Sequence, residues 1–207
     1  MLNRHNILCI ISAPSGTGKS SIINHILKSN PDNDINVSVS ATTRSPRKGE
    51  VEGKDYYFVT KEQFNQYIKE DQFIEYCTVY NNLYGTLTSH VKSKLISSHI
   101  LFDLDTKGAE KLRLIPEIHQ HSISIFILPP SLKELEQRLT LRNSEAQQSL
   151  ELRLKFAQSE ISQAKHYDYI ICNHDIEATA MQIINIIKSS ALSTRNINNL
   201  EETLAKL

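Results

Sequence analysis

Apolar residues along the chain fall into short blocks with two kinds of spacing. Ile7–Ser12 is a continuous apolar run about one strand long, and it meets the turn-forming segment Pro14-Ser15-Gly16-Thr17-Gly18. Past that turn, Ile22, Ile23, Ile26 and Leu27 recur at helical intervals. Val37-Ser38-Val39-Ser40 alternates as a strand does, and Asp55-Tyr56-Tyr57-Phe58-Val59 is aromatic and β-prone. The spacing predicts a helix from Glu62 to about Lys69 and a β-rich piece from Phe73 to Thr86. Further on, helices are expected at Val91–Ile96, Ala109–Leu114, Leu132–Leu141, Ala146–Lys165 and Ala178–Ile187. Between them stand apolar strands at Ile100–Leu104, Ile123–Leu128 and Tyr169–Cys172, the second stopped by Pro129-Pro130.

Strands alternating with helices imply an α/β fold, a parallel sheet with helices on both faces. The block from about 35 to 87 interrupts that alternation as an inserted small β-rich subdomain. The core is then about 1–34, 88–131 and 166–190, with a helical hairpin at about 132–165 and a polar tail at 191–207 that reads as a loosely docked helix. There is no internal repeat and no low-complexity segment.

Composition narrows the classes. A length of 207 residues with 40% hydrophobic and 22% charged residues fits a single folded domain and excludes disorder across the chain. Lys+Arg and Asp+Glu are 23 each, so no net field steers the chain onto nucleic acid or an anionic membrane. No run reaches the roughly 18 apolar residues of a membrane span, and the first apolar run lacks a signal-peptide pattern. Cys9, Cys77 and Cys172 are odd in number and far apart, and read as buried core thiols in a reducing compartment. A cytoplasmic protein is expected.

Candidate chemistry begins at Ala13-Pro14-Ser15-Gly16-Thr17-Gly18-Lys19-Ser20. This is the phosphate-binding loop G-x-x-x-x-G-K-[ST] with Ala13 in place of the first glycine, tolerable where that turn has negative φ. Gly16 and Gly18 let backbone N–H groups converge on an oxyanion at a helix N-terminus. Lys19 supplies a charge to the β- and γ-phosphates, and Ser20 offers a hydroxyl to Mg²⁺. The segment sits between an apolar strand and a helix, so the sequence predicts nucleoside triphosphate binding.

Other signals are weaker alone. Arg44 and Arg47, with Tyr56 and Tyr84, could grip a second phosphate, or could be a solvated basic turn. Asp103 and Asp105 end a strand where open α/β sheets bind ligands; such an acid could hold Mg²⁺ through water, while Asp105 could equally cap the next helix. Arg138 and Arg142 share a helix face and Arg153 lies on the next helix, able to neutralise a transferring phosphoryl or to pair with Glu134, Glu136 and Glu151.

Taken together these residues resemble the guanylate kinase family. The run Ser38–Tyr56 looks like that family's signature, and Phe73-Ile74-Glu75, Asn82-Leu83-Tyr84-Gly85-Thr86, Asp103-Leu104-Asp105 and Ile127–Ser131 are similar to its further landmarks, in its order. The resemblance spans about residues 7–190 and implies a P-loop NTPase core, a GMP-binding insertion and a lid. It implies that Arg44, Arg47, Tyr56 and Tyr84 hold the GMP phosphate while Glu50 orients the arginines. Ser40, Glu75, Gly85, Thr86 and Asp105 would contact or read guanine. Asp103 and Ser20 would lie on the metal side, Arg138, Arg142 and Arg153 would come from the lid region, and Asn173 would lie near the adenine.

The chemistry agrees, since guanine N1–H and its 2-amino group are donors that want a carboxylate, whereas adenine presents the opposite pattern. Departures occur at Leu141-Arg142-Asn143, Thr106-Lys107-Gly108 and Asn173-His174, none of which removes a phosphate or guanine ligand. At the first, Asn143 could end the helix in a left-handed conformation. The resemblance implies Mg²⁺ as cofactor, ATP and GMP as substrates, and dGMP as a conceivable second acceptor. Either a monomer or a homo-oligomer is compatible with it. The rival readings are a catalytically inactive guanylate-kinase-like module that binds proteins, and a kinase for another nucleoside monophosphate.

Overall fold

The apolar run that opens the sequence becomes β1 (Leu8–Ser12), buried along its whole length at the centre of a parallel sheet. The computed structural model describes residues 3–30, 32, 34–47, 49–79, 81–142 and 147–206, with 141, 142 and 147–151 described by backbone only. In chain order α1 (Lys19–Ser29), β2 (Ile35–Val37), β3 (Ser40–Thr42), β4 (Tyr57–Phe58), α2 (Lys61–Lys69), β5 (Phe73–Val79) and β6 (Asn82–Leu87) follow. Next come α3 (Thr88–Leu95), β7 (His99–Asp103), α4 (Thr106–Arg113), the single turn α5 (Pro116–His119) and β8 (Ser122–Leu128). The chain continues through α6 (Leu132–Arg142), α7 (Gln147–Ser162), β9 (Tyr169–Cys172), α8 (Ile176–Ala191) and the short α9 (Leu200–Leu204).

The main sheet has the order β2-β7-β1-β8-β9, all parallel. Successive residues of β1 serve opposite faces, as strand geometry requires. Cys9 and Ile11 pack with Ile22, Ile23 and Ile26 of α1 and Ile183, Ile184 and Ile187 of α8. Leu8 and Ile10 pack with Val91 of α3 and with Ala109 and Leu112 of α4. Burying each such isoleucine or leucine contributes about 1.5–3 kcal/mol, so this two-sided strand anchors the core. Its register matters for the site: Ile11 is paired with Asp103 of β7, so the segment after β1 emerges beside the acid that ends β7.

A second, four-stranded sheet has the order β4-β3-β6-β5 and rests on its own aromatic cluster of Phe64 and Phe73 with Ala41. The chain enters it by changing sheets, which amends the expected boundary at 35. Val37-Ser38-Val39-Ser40 reads as one alternating strand, but β2 ends at Val37 in the main sheet and β3 starts at Ser40 in the second. Ser38 N–H still donates to the Leu101 carbonyl, so the switch falls just after it.

Two other expectations change. Cys9 and Cys77 are buried, but Cys172 is exposed, because β9 is an edge strand with one side uncovered. The tail is tied down: Ile197 bridges Arg4, the Asn196 carbonyl accepts from His5 N–H at 2.9 Å, and the buried Asn196 amide donates to the Ser190 carbonyl at 2.8 Å.

Candidate active site

The turn after β1 leads to Gly18, which caps α1 with φ 101° and no side-chain bond. Gly16 also has positive φ, and a Cβ there would lie 3.0 Å from Leu139 of α6, so the loop needs glycine for both conformation and space. Positive φ among non-glycine residues described falls only at Asp71 and Asn81, so Ala13 makes its turn without strain. The first amides of α1 thus face a cleft lined by Ala13, Pro14, Ser15, Gly16, Gly18, Lys19 and Ser20. Lys19 Nζ stands 2.5 Å from Asp103 Oδ1 and donates to the Leu104 carbonyl at 2.6 Å.

Ser20 and Asp103 both line this end of the cleft, and hydroxyl and carboxylate oxygens are the hard donors Mg²⁺ accepts. Among the described residues no group of three or more His, Cys, Asp or Glu side chains could hold a metal by itself.

At the other end the registers of the second sheet set three polar side chains in a row. Ser40 of β3 is paired with Thr86 of β6, and Thr86 with Glu75 of β5, where a register shift between Phe73 and Glu75 brings the acid into line. Thr86 Oγ1 donates to Glu75 Oε1 at 2.8 Å and lies 3.3 Å from Ser40 Oγ. Glu75 is 5% exposed, and its Oε2 has no partner. Burial is the largest influence on its carboxyl, raising the pKa to about 7 against the opposing bond from Thr86.

Asp105 caps α4, accepting from Gly108 N–H at 2.8 Å, and also lines the cleft, so the cap and ligand readings are compatible. Cys77 lies beside it, its thiol 3.6 Å from Asp105 Oδ1. Gly85 contributes space. A Cβ there would lie 2.9 Å from the Phe73 ring and 3.0 Å from Phe64.

Between the two ends stand the basic and phenolic groups. Arg47, Tyr56 and Tyr84 line the cleft. Arg44 is held by Glu50 at 2.8 Å, and its guanidinium lies 5.4 Å from the Tyr56 ring centre. Glu50 also accepts the Arg47 N–H at 2.6 Å. Burial works against ionising Glu50, but the bonds from Arg44 and Arg47 outweigh it and hold the carboxyl below its usual range. The acid thus orients one arginine by its side chain and the other by its backbone.

Of the hairpin's arginines, Arg138 meets the phosphate loop rather than the cleft. Arg138 donates to the Thr17 carbonyl at 3.1 Å and pairs with Glu134. Arg153, on α7, does not line the cleft; for Arg142 only the backbone, at the end of α6, is described, and Asn143 lies outside the described residues. Asn173 is expected beside the adenine, but its amide is 2% exposed and donates to the Thr17 carbonyl at 2.8 Å. It follows the last strand and turns inward beneath the loop.

The sequence reading missed Glu160 of α7, which lines the cleft and is bonded by the Ser15 amide. Burial is the main cause that raises its pKa to about 7, with Asp105 adding to it and Lys19 opposing it. A glutamate in a helix this polar carries no local signal of a buried position.

A cleft that can face two phosphate groups end to end is what a P-loop nucleoside monophosphate kinase requires, and that is the class this fold and site define. The family model for guanylate kinase matches residues 5–190. The chain is 43% identical over 187 residues to a guanylate kinase of Rickettsia felis, covering 90% of this chain and 95% of that one. It is 42% identical over 207 residues to one of Haemophilus influenzae, covering 96% and 98%. The crystal structure of guanylate kinase from Anaplasma phagocytophilum superposes with a TM-score of 0.83 at 36% identity, covering 99% of this chain and 96% of that one. The chain belongs to the guanylate kinase family and is an enzyme with guanylate kinase activity. None of these likenesses supports the inactive protein-binding alternative. Among the described residues no helix is long and apolar enough to cross a membrane.

Proposed function

We propose that the chain moves the γ-phosphoryl of Mg·ATP in line onto the phosphate of GMP, giving ADP and GDP. The observation that carries this is the single cleft with the phosphate loop at one end and the Ser40, Thr86 and Glu75 row at the other. ATP would lay its phosphates on the amides around Gly16 and Gly18, with Lys19 neutralising the β- and γ-oxygens. Mg²⁺, once bound, would screen the charge that develops between those oxygens. Ser20 would reach it directly and Asp103 through water.

GMP would place its phosphate between Arg44, Arg47, Tyr56 and Tyr84. Its guanine N1–H and 2-amino group would complete Glu75, whose Oε2 lacks a partner, while Ser40, Thr86 and Asp105 address the remaining edge. Adenine offers no donor pair there and would leave a buried carboxylate unpaired. No side chain need form a covalent bond, because the GMP phosphate oxygen is the nucleophile. Catalysis is then alignment and charge neutralisation.

The core, the insertion from Ser38 to Leu87 and the lid of α6 and α7 divide this labour. Arg138 would exchange its Thr17 and Glu134 partners for phosphate oxygens, and Arg142 and Arg153 would join it as the lid closes and excludes water. The cytoplasm, where both nucleotides are substrates, is the setting. The role of Lys19 is tested by Lys19→Ala. It should lower kcat by about 10³-fold or more while leaving the GMP KM within about threefold. Equal loss in both would contradict the assignment.

A further inference from the structure

Beneath the phosphate loop a chain of buried polar groups leads away from the cleft. Thr17, Asn173 and Thr179 are 0%, 2% and 2% exposed. Asn173 follows β9 and is pinned by its own backbone, its N–H donating to the Leu128 carbonyl at 2.8 Å. Its amide Nδ2 donates to the Thr17 carbonyl at 2.8 Å, and Thr179 Oγ1, in the first turns of α8, lies 3.1 Å from its Oδ1.

An amide is nearly symmetric in shape, so only its hydrogen-bond partners decide which end points where. The Thr17 carbonyl only accepts and so takes the NH₂ end, and the Thr179 hydroxyl, donating to Oδ1, then holds the amide in that orientation. In the flipped orientation Oδ1 would face the Thr17 carbonyl, two acceptors in a dry site. The consequence reaches the cleft through the peptide plane. In a trans peptide the C=O of Thr17 and the N–H of Gly18 point in opposite directions. A carbonyl held downward by Asn173 therefore turns the Gly18 N–H the other way. Arg138 donates to the same carbonyl at 3.1 Å but would leave it for phosphate oxygens as the lid closes. Gly18, at φ 101°, could then rock that plane at little cost were Asn173 not holding it. Asn173 Nδ2 also stands 3.1 Å from where a Gly18 Cβ would be, close enough to limit the loop sterically.

We propose that Thr179 is a positioning residue for ATP: it fixes the Asn173 amide, which grips the Thr17 carbonyl and so aims the Gly18 amide into the phosphate cradle. This rests on the reading that the loop around Lys19 binds the ATP phosphates. Thr179 touches neither substrate, so its effect must appear as an ATP-specific one.

Steady-state kinetics of Thr179→Val and Thr179→Ser test it, each with a melting curve. Valine keeps the shape and loses the donor. The ATP KM should rise about fivefold, the value of one net hydrogen bond, with the GMP KM within twofold. Serine keeps the hydroxyl and should return the ATP KM to within twofold of the parent, whatever it does to the melting temperature. Asn173→Asp, which cannot donate to the carbonyl, should reproduce the valine pattern and serves if Thr179→Val does not fold. An unchanged ATP KM in folded Thr179→Val or Asn173→Asp overturns the proposal. So does an equal rise in both KM values, or a serine variant that fails to recover. If Lys19→Ala leaves ATP binding intact, it is the reading of the loop that fails, and the two results are thereby distinguished.

Discussion

Thr86 donates to one carboxylate oxygen of Glu75 and leaves the other buried without a partner. A half-satisfied buried acid costs stability unless a ligand completes it. Its pKa is about 7 in the folded chain against an ordinary 4.5, so the folded state binds the proton more tightly than the unfolded one. Stability in the absence of GMP should therefore fall as pH rises from about 4.5 to about 7, and level off above. In the proposed reading GMP needs the ionised acceptor, so its KM should rise as pH drops below about 7 while the ATP KM stays flat. Glu75→Gln should abolish that pH dependence and raise the GMP KM by at least tenfold. A parallel GMP profile in both proteins would contradict the role.

In the proposed reading Glu50 acts at one remove from the acceptor phosphate. It holds the Arg44 guanidinium and the Arg47 amide together. Glu50→Ala frees a partly buried arginine and loosens the turn. We expect the GMP KM to rise about tenfold, the value of a charged hydrogen bond, with the ATP KM unchanged. Saturation kinetics in each substrate check this.

Asp103 serves the other side. It is the ion-pair partner of Lys19 and borders the place proposed for Mg²⁺. Asp103→Asn should raise the Mg²⁺ concentration needed for half-maximal rate and lower activity by about 10–100-fold, as loss of an outer-sphere metal partner does. Chelation should abolish turnover in the parent and variant alike. A Mg²⁺ titration of each protein is the check.

Gly85 gives a stability test free of catalysis. Its missing Cβ admits the Phe73 and Phe64 rings, and Gly85→Ala would overlap buried aromatic atoms at 2.9 Å and 3.0 Å. The expected cost is about 1–3 kcal/mol in unfolding free energy, measured by denaturant titration.

What was legible in the sequence follows from how local each signal is. The phosphate loop is eight consecutive residues whose motif is recognised without reference to any distant residue, and the structure forms it directly after β1. The row of Ser40, Thr86 and Glu75 draws on three strands. From the residues alone its members are an unconnected serine, threonine and glutamate, and only the family resemblance joined them before the registers did. Ser38 lies where the chain changes sheets, a tertiary decision that the alternation of Val37 and Val39 does not reveal. Cys172 reads as core because β9 is apolar, but a strand's place at a sheet edge is not written in its own residues. Glu160, and the bond that ties Asn173 and Thr179 to the loop, escaped for a similar reason, since the partners Ser15 and Thr17 are more than a hundred residues away, although the resemblance itself names Asn173.

The most direct test of the account is ADP release from Mg·ATP with GMP, AMP, CMP and UMP compared as acceptors. Turnover with GMP that exceeds AMP by about 10³-fold or more in kcat/KM is the predicted result, because a buried carboxylate rejects a base that cannot donate to it. Comparable turnover with AMP, or GMP that binds without releasing ADP, would contradict the account.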